Sequence, residues 1–327
     1  MSLSRRQFVQ SSAAALAVVS AGSLLAADDE KKNLPIVDCH QHLWDLSKFK
    51  LPWIMPDTLM AKNYVEEDYL KQAAGLNVVK AVYMEVDVAA DQKTKEANYV
   101  IDICKSGKFP TCAAVIGGRP GEEGFEKYIL QFKGSPYVKG VRQVVHSESA
   151  PKGMCLEETF VKSVQLLGEL GMSFDLCMRP TEISDGAKLC DACPDTRFIL
   201  DHCGNGDVKA FHVDKKIEGK PDHDAETWKK DIANIAKRKN CICKISGVIA
   251  RLPKGWEAET LAPIINHCLD SFGPDRVIFG SDWPVCLMGA SYMDWVVGLK
   301  AIIASRPIAE QKKLLHDNAV KFYGLTK

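Results

Sequence analysis

Short apolar runs alternate with amphipathic stretches along most of this chain. Between the apolar runs, hydrophobic residues recur at helical spacing, for example in Val65–Ala74, Phe160–Leu170, Trp228–Arg238 and Ala262–Phe272. We predict that the apolar runs are eight strands: Ile36–Cys39, Lys80–Glu85, Thr111–Ile116, Val138–Arg142, Ser173–Met178, Arg197–Asp201, Cys241–Ser246 and Val277–Gly280. This order is typical of strand–helix units that build a parallel sheet.

Glycines mark the ends of several predicted helices. Gly75, Gly171 and Gly273 stand where a helix C-terminus favours a left-handed residue. Eight strand–helix units in about 300 residues predict an α/β fold, a (β/α)8 TIM barrel. An open doubly wound sheet would produce the same alternation, but no Gly-x-Gly-x-x-Gly follows any predicted strand, so the commonest phosphate-binding form of that fold lacks its signature.

The N-terminal segment has the pattern of an export signal. Arg5 and Arg6 precede an uncharged, alanine-rich stretch over 11–27, which resembles a twin-arginine signal. We therefore expect residues 1–27 to be the signal, residues 28–327 to form a single domain, and the protein to be exported to the periplasm. A retained membrane anchor is the alternative, but the stretch is less apolar and shorter than the roughly 20 residues that a span needs, so no stable membrane insertion is expected after cleavage.

Charge and cysteine content restrict the partners and the kind of stabilisation. The 42 basic and 42 acidic residues balance and form no basic stripe, which argues against nucleic acid and favours a small-molecule substrate. Many of the 12 cysteines fall in or beside predicted strands, where cysteine packs as a small hydrophobe, so we expect no disulfide framework. Cys190 and Cys193 lack the second pair that a structural zinc site requires.

Candidate chemistry collects at the ends of the predicted strands, where the active site of a barrel lies. His40 and His42 are two residues apart at the end of strand one, so in an extended segment they point to the same face. His202 ends strand six, Asp282 follows strand eight, and Arg142 ends strand four. Three further polar or aromatic candidates follow strands four, seven and eight: His146, Ser246 and Trp283.

Six motifs in this order resemble the amidohydrolase superfamily, specifically the group that contains sugar-acid and dicarboxylate lactonases. The resemblance covers essentially the whole chain after the signal. The motifs are Asp38-x-His40-x-His42-x-Trp44, Gly140-Val141-Arg142, Leu200-Asp201-His202-x-Gly204, Lys244-x-Ser246-Gly247, Gly280-Ser281-Asp282-Trp283-Pro284, and Asn318-Ala319 with Tyr323.

The resemblance implies roles for these residues. Asp282 is expected to act as general base on a hydrolytic water, which is chemistry that a carboxylate beside imidazoles can perform. His40, His42 and His202 would bind a metal together with Asp282, or polarise the lactone carbonyl directly, with His202 and Arg142 as further catalytic groups. The residues expected to contact substrate are Arg142, which would suit a carboxylate or hydroxyl array, and His146, Ser246 and Trp283.

Two departures from the metal-rich members of the superfamily argue against a binuclear centre. Strand four has no lysine at its end, since Lys139 lies early in it, and strand five has no histidine in Ser173–Met178. One divalent metal, with zinc as the expected ion, remains compatible with three converging histidines, and so does a site without metal.

These features predict a hydrolase that opens a sugar-acid or related lactone by attack of an Asp-activated water. A metal-dependent decarboxylase is the alternative, because related barrels also end strand one in His-x-His and strand eight in aspartate. A barrel that binds a sugar acid without turnover is the third possibility. The long polar connection over 204–226 is expected to lie over the barrel mouth.

Overall fold

The computed structural model describes residues 33–147, 150–212, 217, 219–252 and 255–325. The predicted export signal lies outside these residues, so the signal and the periplasmic location stay predictions. Within the described part, no helix is both long and apolar enough to cross a membrane.

Eight parallel strands form a single sheet in which each strand pairs with the next along the chain. Their bounds are β1 Ile36–Gln41, β2 Val78–Met84, β3 Thr111–Gly117, β4 Val138–Val144, β5 Ser173–Cys177, β6 Arg197–Leu200, β7 Cys241–Ile245 and β8 Val277–Phe279. All eight predicted strands are confirmed, with ends that differ by a few residues at most.

The sheet closes on itself just beyond β8. The N–H of Asp282 donates to the carbonyl of His40 at 2.9 Å, and the N–H of His42 donates to the carbonyl of Trp283 at 2.8 Å. These bonds join the end of β1 to the segment after β8 and complete a nearly closed barrel. The (β/α)8 prediction is therefore confirmed, and the open doubly wound alternative is wrong.

One main helix follows each strand and packs outside the barrel. The bounds are α1 Glu66–Ala73, α2 Lys93–Ser106, α3 Phe125–Leu130, α4 Glu158–Glu169, α5 Ile183–Ala192, α6 Ala225–Ile235, α7 Ala258–Phe272 and α8 Tyr292–Ile302. Gly75, Gly171 and Gly273 have φ values of 81°, 71° and 72°, as predicted for residues just after helices. The chain ends in helices Ile308–Lys312 and Asn318–Tyr323, which a π-helical turn over Lys313–Asp317 connects.

The barrel interior is apolar near the N-terminal strand ends. Val37, Ala113 and Ile242 belong to a buried cluster that includes Ala319 and Tyr323 of the last helix, so this helix closes the end of the barrel opposite the strand C-termini. All 12 cysteines are free in the structure, and all except Cys112 are buried. The stability comes from packing of the barrel and its helices.

A buried ion cluster replaces apolar packing in the middle of the barrel. The Lys244 Nζ lies 2.7 Å from a carboxylate oxygen of Asp175 and 2.8 Å from one of Asp201, and all three side chains are completely buried. Burial acts to lower the pKa of Lys244, but the two carboxylates hold it well above its usual value. This cluster forms the floor beneath the candidate site.

Another buried carboxyl group, that of Glu96, makes the stability of the protein depend on pH. Its Oε1 accepts hydrogen bonds from the Tyr83 hydroxyl at 2.8 Å and the Val86 N–H at 2.7 Å, while its Oε2 has no hydrogen-bond partner among the described residues. Burial, reinforced by the nearby charge of Glu85, raises the pKa of Glu96 to about 8. The folded protein therefore keeps a proton at neutral pH that the unfolded chain has lost.

We expect Glu96→Gln to remove this pH dependence. The pKa of Glu96 in the folded protein is higher than the value of about 4.5 in the unfolded chain, so the folded protein binds more protons between these two pH values. In this range the free energy of unfolding therefore decreases as the pH rises, by up to about 1.4 kcal/mol per pH unit. The amide that replaces the carboxyl group keeps the carbonyl acceptor and cannot ionise. Urea unfolding at pH 5.5 and 8.5 should show a smaller loss of stability in the variant, whereas equal losses in both proteins would contradict the assignment.

Candidate active site

His40 and His42 lie together at the end of β1, with ring centroids 4.8 Å apart. The register of β1 against β2 shifts between Asp38 and Gln41, and this irregularity re-aims the end of the strand. The His42 Nδ1 lies 3.0 Å from the carbonyl oxygen of Met84, so Nδ1–H is the donor and Nε2 keeps its lone pair. That Nε2 lies 3.3 Å from the Asp282 carboxylate.

Asp282 is held at the mouth of the barrel in a strained backbone conformation. Its φ is +58°, which is uncommon for a residue other than glycine and costs on the order of 1–3 kcal/mol. Its N–H bond to His40 fixes the turn. The carboxylate also lies 3.6 Å from the Nε2 of His40, and only 5 % of the residue is exposed. Such strain is typical of residues that a functional site requires in one position.

His202 reaches the same point from a left-handed turn after β6. Residues His202–Asn205 all have positive φ, between 52° and 61°. The His202 ring lies 4.4 Å from the His40 ring, and its Nδ1 lies 2.9 Å from the hydroxyl of Ser246. Burial lowers the pKa of His202 to about 4, so the ring is neutral at pH 7. A Cβ at Gly247 would lie 2.2 Å from this ring, which explains the need for glycine there.

Two residues predicted to contact substrate lie outside the cavity wall. Ser246 is completely buried and holds the ring of His202 instead. Trp283 is 1 % exposed, and its ring packs edge-on against Tyr64 and Tyr69 at 5.3 and 5.4 Å. Both side chains support the site from behind, and substrate contact by Ser246 and Trp283 stays a prediction.

Arg142 lines the cavity, but neighbouring groups already use its guanidinium. Its Nε donates to the Glu85 carboxylate and its Nη2 to the Glu85 backbone carbonyl, both at 2.7 Å. Its Nη1 donates to the Nε2 of His40 at 3.2 Å. The proton of neutral His40 then belongs on Nδ1, which faces Asp201 at 3.7 Å. The guanidinium that was predicted to bind a substrate carboxylate thus binds Glu85 instead.

These groups surround a cavity of about 380 Å³ at the C-terminal ends of the strands. The polar lining residues include Asp282, His42, His202 and Arg142. The cavity is also lined by apolar residues: Trp44, Trp53, Val86, Val285 and Met288. His146 is exposed at the rim of the cavity, where it could reach a bound molecule.

The connection over 204–226 contributes one described residue, Asn205, to the cavity wall. His212 lies 2.8 Å from the carbonyl oxygen of Thr260, and His223 is buried beside Trp228. Residues 213–216 and 218 lie outside the described residues, so a covering role for this connection stays a prediction.

The arrangement agrees with a known family. The family model described as Amidohydrolase matches residues 37–325, which is nearly all of the described chain. The chain belongs to the amidohydrolase family. This membership confirms the resemblance drawn from the six motifs, and it makes the protein a hydrolase.

Two relatives match this amidohydrolase over nearly their whole length, and a solved structure shares its fold. An L-fucono-1,5-lactonase from Burkholderia multivorans is 25 % identical over 88 % of this chain and 96 % of its own. An L-rhamnono-gamma-lactonase from Scheffersomyces stipitis is 24 % identical over 89 % of this chain and 98 % of its own. A crystal structure of an amidohydrolase from Burkholderia multivorans with bound zinc superposes with a TM-score of 0.77, at 20 % identity, over 89 % of this chain and all of that chain.

Three polar residues at this amidohydrolase's cavity have the spacing of a metal site. One ligand atom each from His40, His202 and Asp282 lie within 4.8 Å of one another. Around a tetrahedral zinc such atoms are about 3.3 Å apart, so binding requires modest shifts of these side chains. The Nε2 of His40 must also exchange its hydrogen bond from Arg142 for the ion. Burial lowers the pKa of both histidines, which keeps them neutral as ligands must be. The bond from Ser246 to His202 is the kind of outer contact that orients a ligand ring.

Two residues of this amidohydrolase site are not among the candidates that the sequence motifs indicate. Glu85 follows β2 and fixes Arg142, and its signal was a carboxylate at the end of a predicted strand. Cys177 ends β5, lines the cavity and lies within 4.8 Å of ligand atoms on Asp201 and His202. Cys177 lies at the end of strand five, the strand in which the sequence has no histidine.

Proposed function

We propose that this amidohydrolase opens the ring of an uncharged sugar-acid lactone by attack of water that Asp282 activates. The observation that carries the proposal is the placement of Asp282, whose carboxylate lies beside His42 and lines the same cavity as the neutral His202 and several apolar residues. The lactonase names of two relatives that span nearly the whole chain support the same reaction class.

The chemistry follows from the position of the carboxylate. Asp282 takes a proton from water while the water oxygen bonds to the lactone carbonyl carbon, which is general-base catalysis. The Nδ1 of His202 accepts a hydrogen bond from the Ser246 hydroxyl, so its Nε2–H can donate to the oxyanion that forms on the carbonyl oxygen. When the intermediate collapses, the ring oxygen leaves and receives the proton from Asp282. The product is a hydroxy acid, which releases a proton at neutral pH.

The charges around the cavity favour an uncharged substrate. Arg142 is directed at Glu85, and Arg251 bonds to the backbone and side-chain oxygens of Asn205, both at 3.1 Å. Among the described lining residues, both arginines are thus already partnered. A dicarboxylate would bring charges into a site that offers no free cation among these residues, and burying unpaired charge is costly. Trp53 and Met288 provide instead an apolar surface for an uncharged ring.

His40, His42, His202 and Asp282 would hold a divalent metal if the enzyme uses one. Bound zinc would supply a Lewis acid for the lactone carbonyl. Asp282 as base and the cavity walls as orienting surfaces keep their roles in either case, whereas the Nε2 of His202 would bind the ion and would no longer donate to the oxyanion.

Proton release in a weakly buffered indicator assay tests this function. The panel contains L-fucono-1,5-lactone, L-rhamnono-gamma-lactone and a pyrone dicarboxylate, each assayed before and after chelator treatment. We expect turnover of at least one of the two sugar lactones, with kcat/KM at least about tenfold above that of the dicarboxylate, because tenfold requires only about 1.4 kcal/mol of discrimination. Release of carbon dioxide from aromatic acids, with no lactone turnover, would contradict the proposal and favour the decarboxylase alternative.

A further inference from the structure

Cys177 is a thiol in the wall of the cavity. It ends β5 and is the single cysteine among the described residues that line this cavity. Because side chains two residues apart on a strand share a face, Cys177 points to the barrel interior together with Asp175, which binds Lys244 there. The side chain therefore faces the polar groups of the site and not the surrounding helices.

The sulfur lies at metal-ligand spacing from the groups around it. The Sγ of Cys177, a carboxylate oxygen of Asp201 and a ring nitrogen of His202 are all within 4.8 Å of one another. His202 also belongs to the set formed with His40 and Asp282. A sulfur and a nitrogen that bind one tetrahedral zinc are about 3.6 Å apart, so Cys177 is within a small movement of an ion held by His202.

The environment of Cys177 makes it a poor nucleophile without a metal. Burial raises the pKa of its thiol well above the usual value, although the Arg142 guanidinium acts in the opposite direction. A protonated, buried thiol does not attack substrates. A metal ion displaces the proton when it binds sulfur, so the same thiol is a suitable ligand once an ion is present.

We propose that Cys177 is a thiolate ligand of a single metal ion in this cavity, bound jointly with His202. The inference rests on the metal part of the proposed function and does not depend on which lactone is cleaved. A sulfur ligand makes the site selective for zinc-like ions over magnesium or manganese, which prefer oxygen.

A second group of thiols must be separated from this site in any test. The sulfurs of Cys203, Cys243 and Cys268 also lie within 4.8 Å of one another. All three side chains are completely buried within the main apolar core. This group offers three sulfur atoms and no histidine or carboxylate ligand.

Cobalt(II) binding tests the proposal because thiolate ligation to cobalt produces strong near-ultraviolet charge-transfer absorption, which nitrogen and oxygen ligands do not. Metal-stripped wild-type protein titrated with cobalt(II) should develop this absorption up to one equivalent per chain. Cys177→Ala should lose the absorption and bind cobalt at least about tenfold more weakly. Cys193→Ala and Cys268→Ala are the matched controls and should keep both the absorption and the affinity.

Several results would overturn the proposal. These are cobalt binding by wild type without thiolate absorption, no cobalt binding, absorption retained in Cys177→Ala, and absorption lost in Cys268→Ala instead. Cys177→Ser, which preserves the size of the side chain, provides a second variant, and circular dichroism shows that each variant is folded. Lactone turnover is not read out, so a failure here is distinct from a failure of the proposed function.

Discussion

Asp282→Asn is expected to lower kcat on the lactone by about 10³-fold. An amide has nearly the same shape as a carboxylate but cannot accept the proton from water, and a positioned general base contributes on the order of 10²–10⁴-fold. The loss should appear in kcat at least as strongly as in KM, because the carboxylate acts on the attacking water. Initial rates of proton release over a range of lactone concentrations measure both.

The matched control is Asp191→Asn, since Asp191 pairs with Arg238 at the surface far from the cavity. It should retain wild-type kinetics. A variant at position 282 that is folded and keeps more than about a tenth of the wild-type kcat would show that another group activates the water, because general-base contributions begin near 10²-fold.

Lys244→Met is expected to destabilise the protein by about 3–5 kcal/mol, since the change leaves two buried carboxylates without their cation. Lys244, Asp175 and Asp201 have no exposed surface, so water cannot compensate. Asp201 also faces His40, so the site above should lose order as well. Urea unfolding followed by circular dichroism gives the free energy of unfolding for wild type and variant.

Lys188→Met provides the control, because Lys188 forms an exposed pair with Asp185 on α5. Exposed pairs of this kind contribute about 0–1 kcal/mol. If Lys244→Met were no more destabilising than Lys188→Met, the buried cluster would not be a structural requirement of the barrel.

The strand pattern of the barrel could be predicted from the sequence because each strand is a short buried run between polar segments. The convergence of His40, His42, His202 and Asp282 was also predictable, since parallel strand ends meet at one face of a barrel. Strand ends themselves shifted by a few residues. Their limits depend on pairing with neighbouring strands, and a local sequence pattern does not contain features such as the register shift between Asp38 and Gln41.

The roles of individual side chains were harder to predict. The sequence suggested that the Arg142 guanidinium was available to bind a substrate. Its partner Glu85 lies 57 residues away along the chain, so no local pattern indicates the pairing. Ser246 and Trp283 follow strands, but small changes of direction turn them to the back of the site. Cys177 was not predicted because a cysteine at a strand end is usually a buried packing residue. Its position near His202 distinguishes it from the other buried cysteines.

The most direct test of the central claim is the fate of the water oxygen. Wild-type protein is incubated with L-fucono-1,5-lactone in water enriched in oxygen-18, and the product is analysed by mass spectrometry at early times. Attack by a water that Asp282 activates predicts one oxygen-18 atom in the new carboxylate, formed faster with wild type than with Asp282→Asn. No enzyme-dependent incorporation into this lactone or into L-rhamnono-gamma-lactone would contradict the assignment of this cavity as a lactone-hydrolysing site.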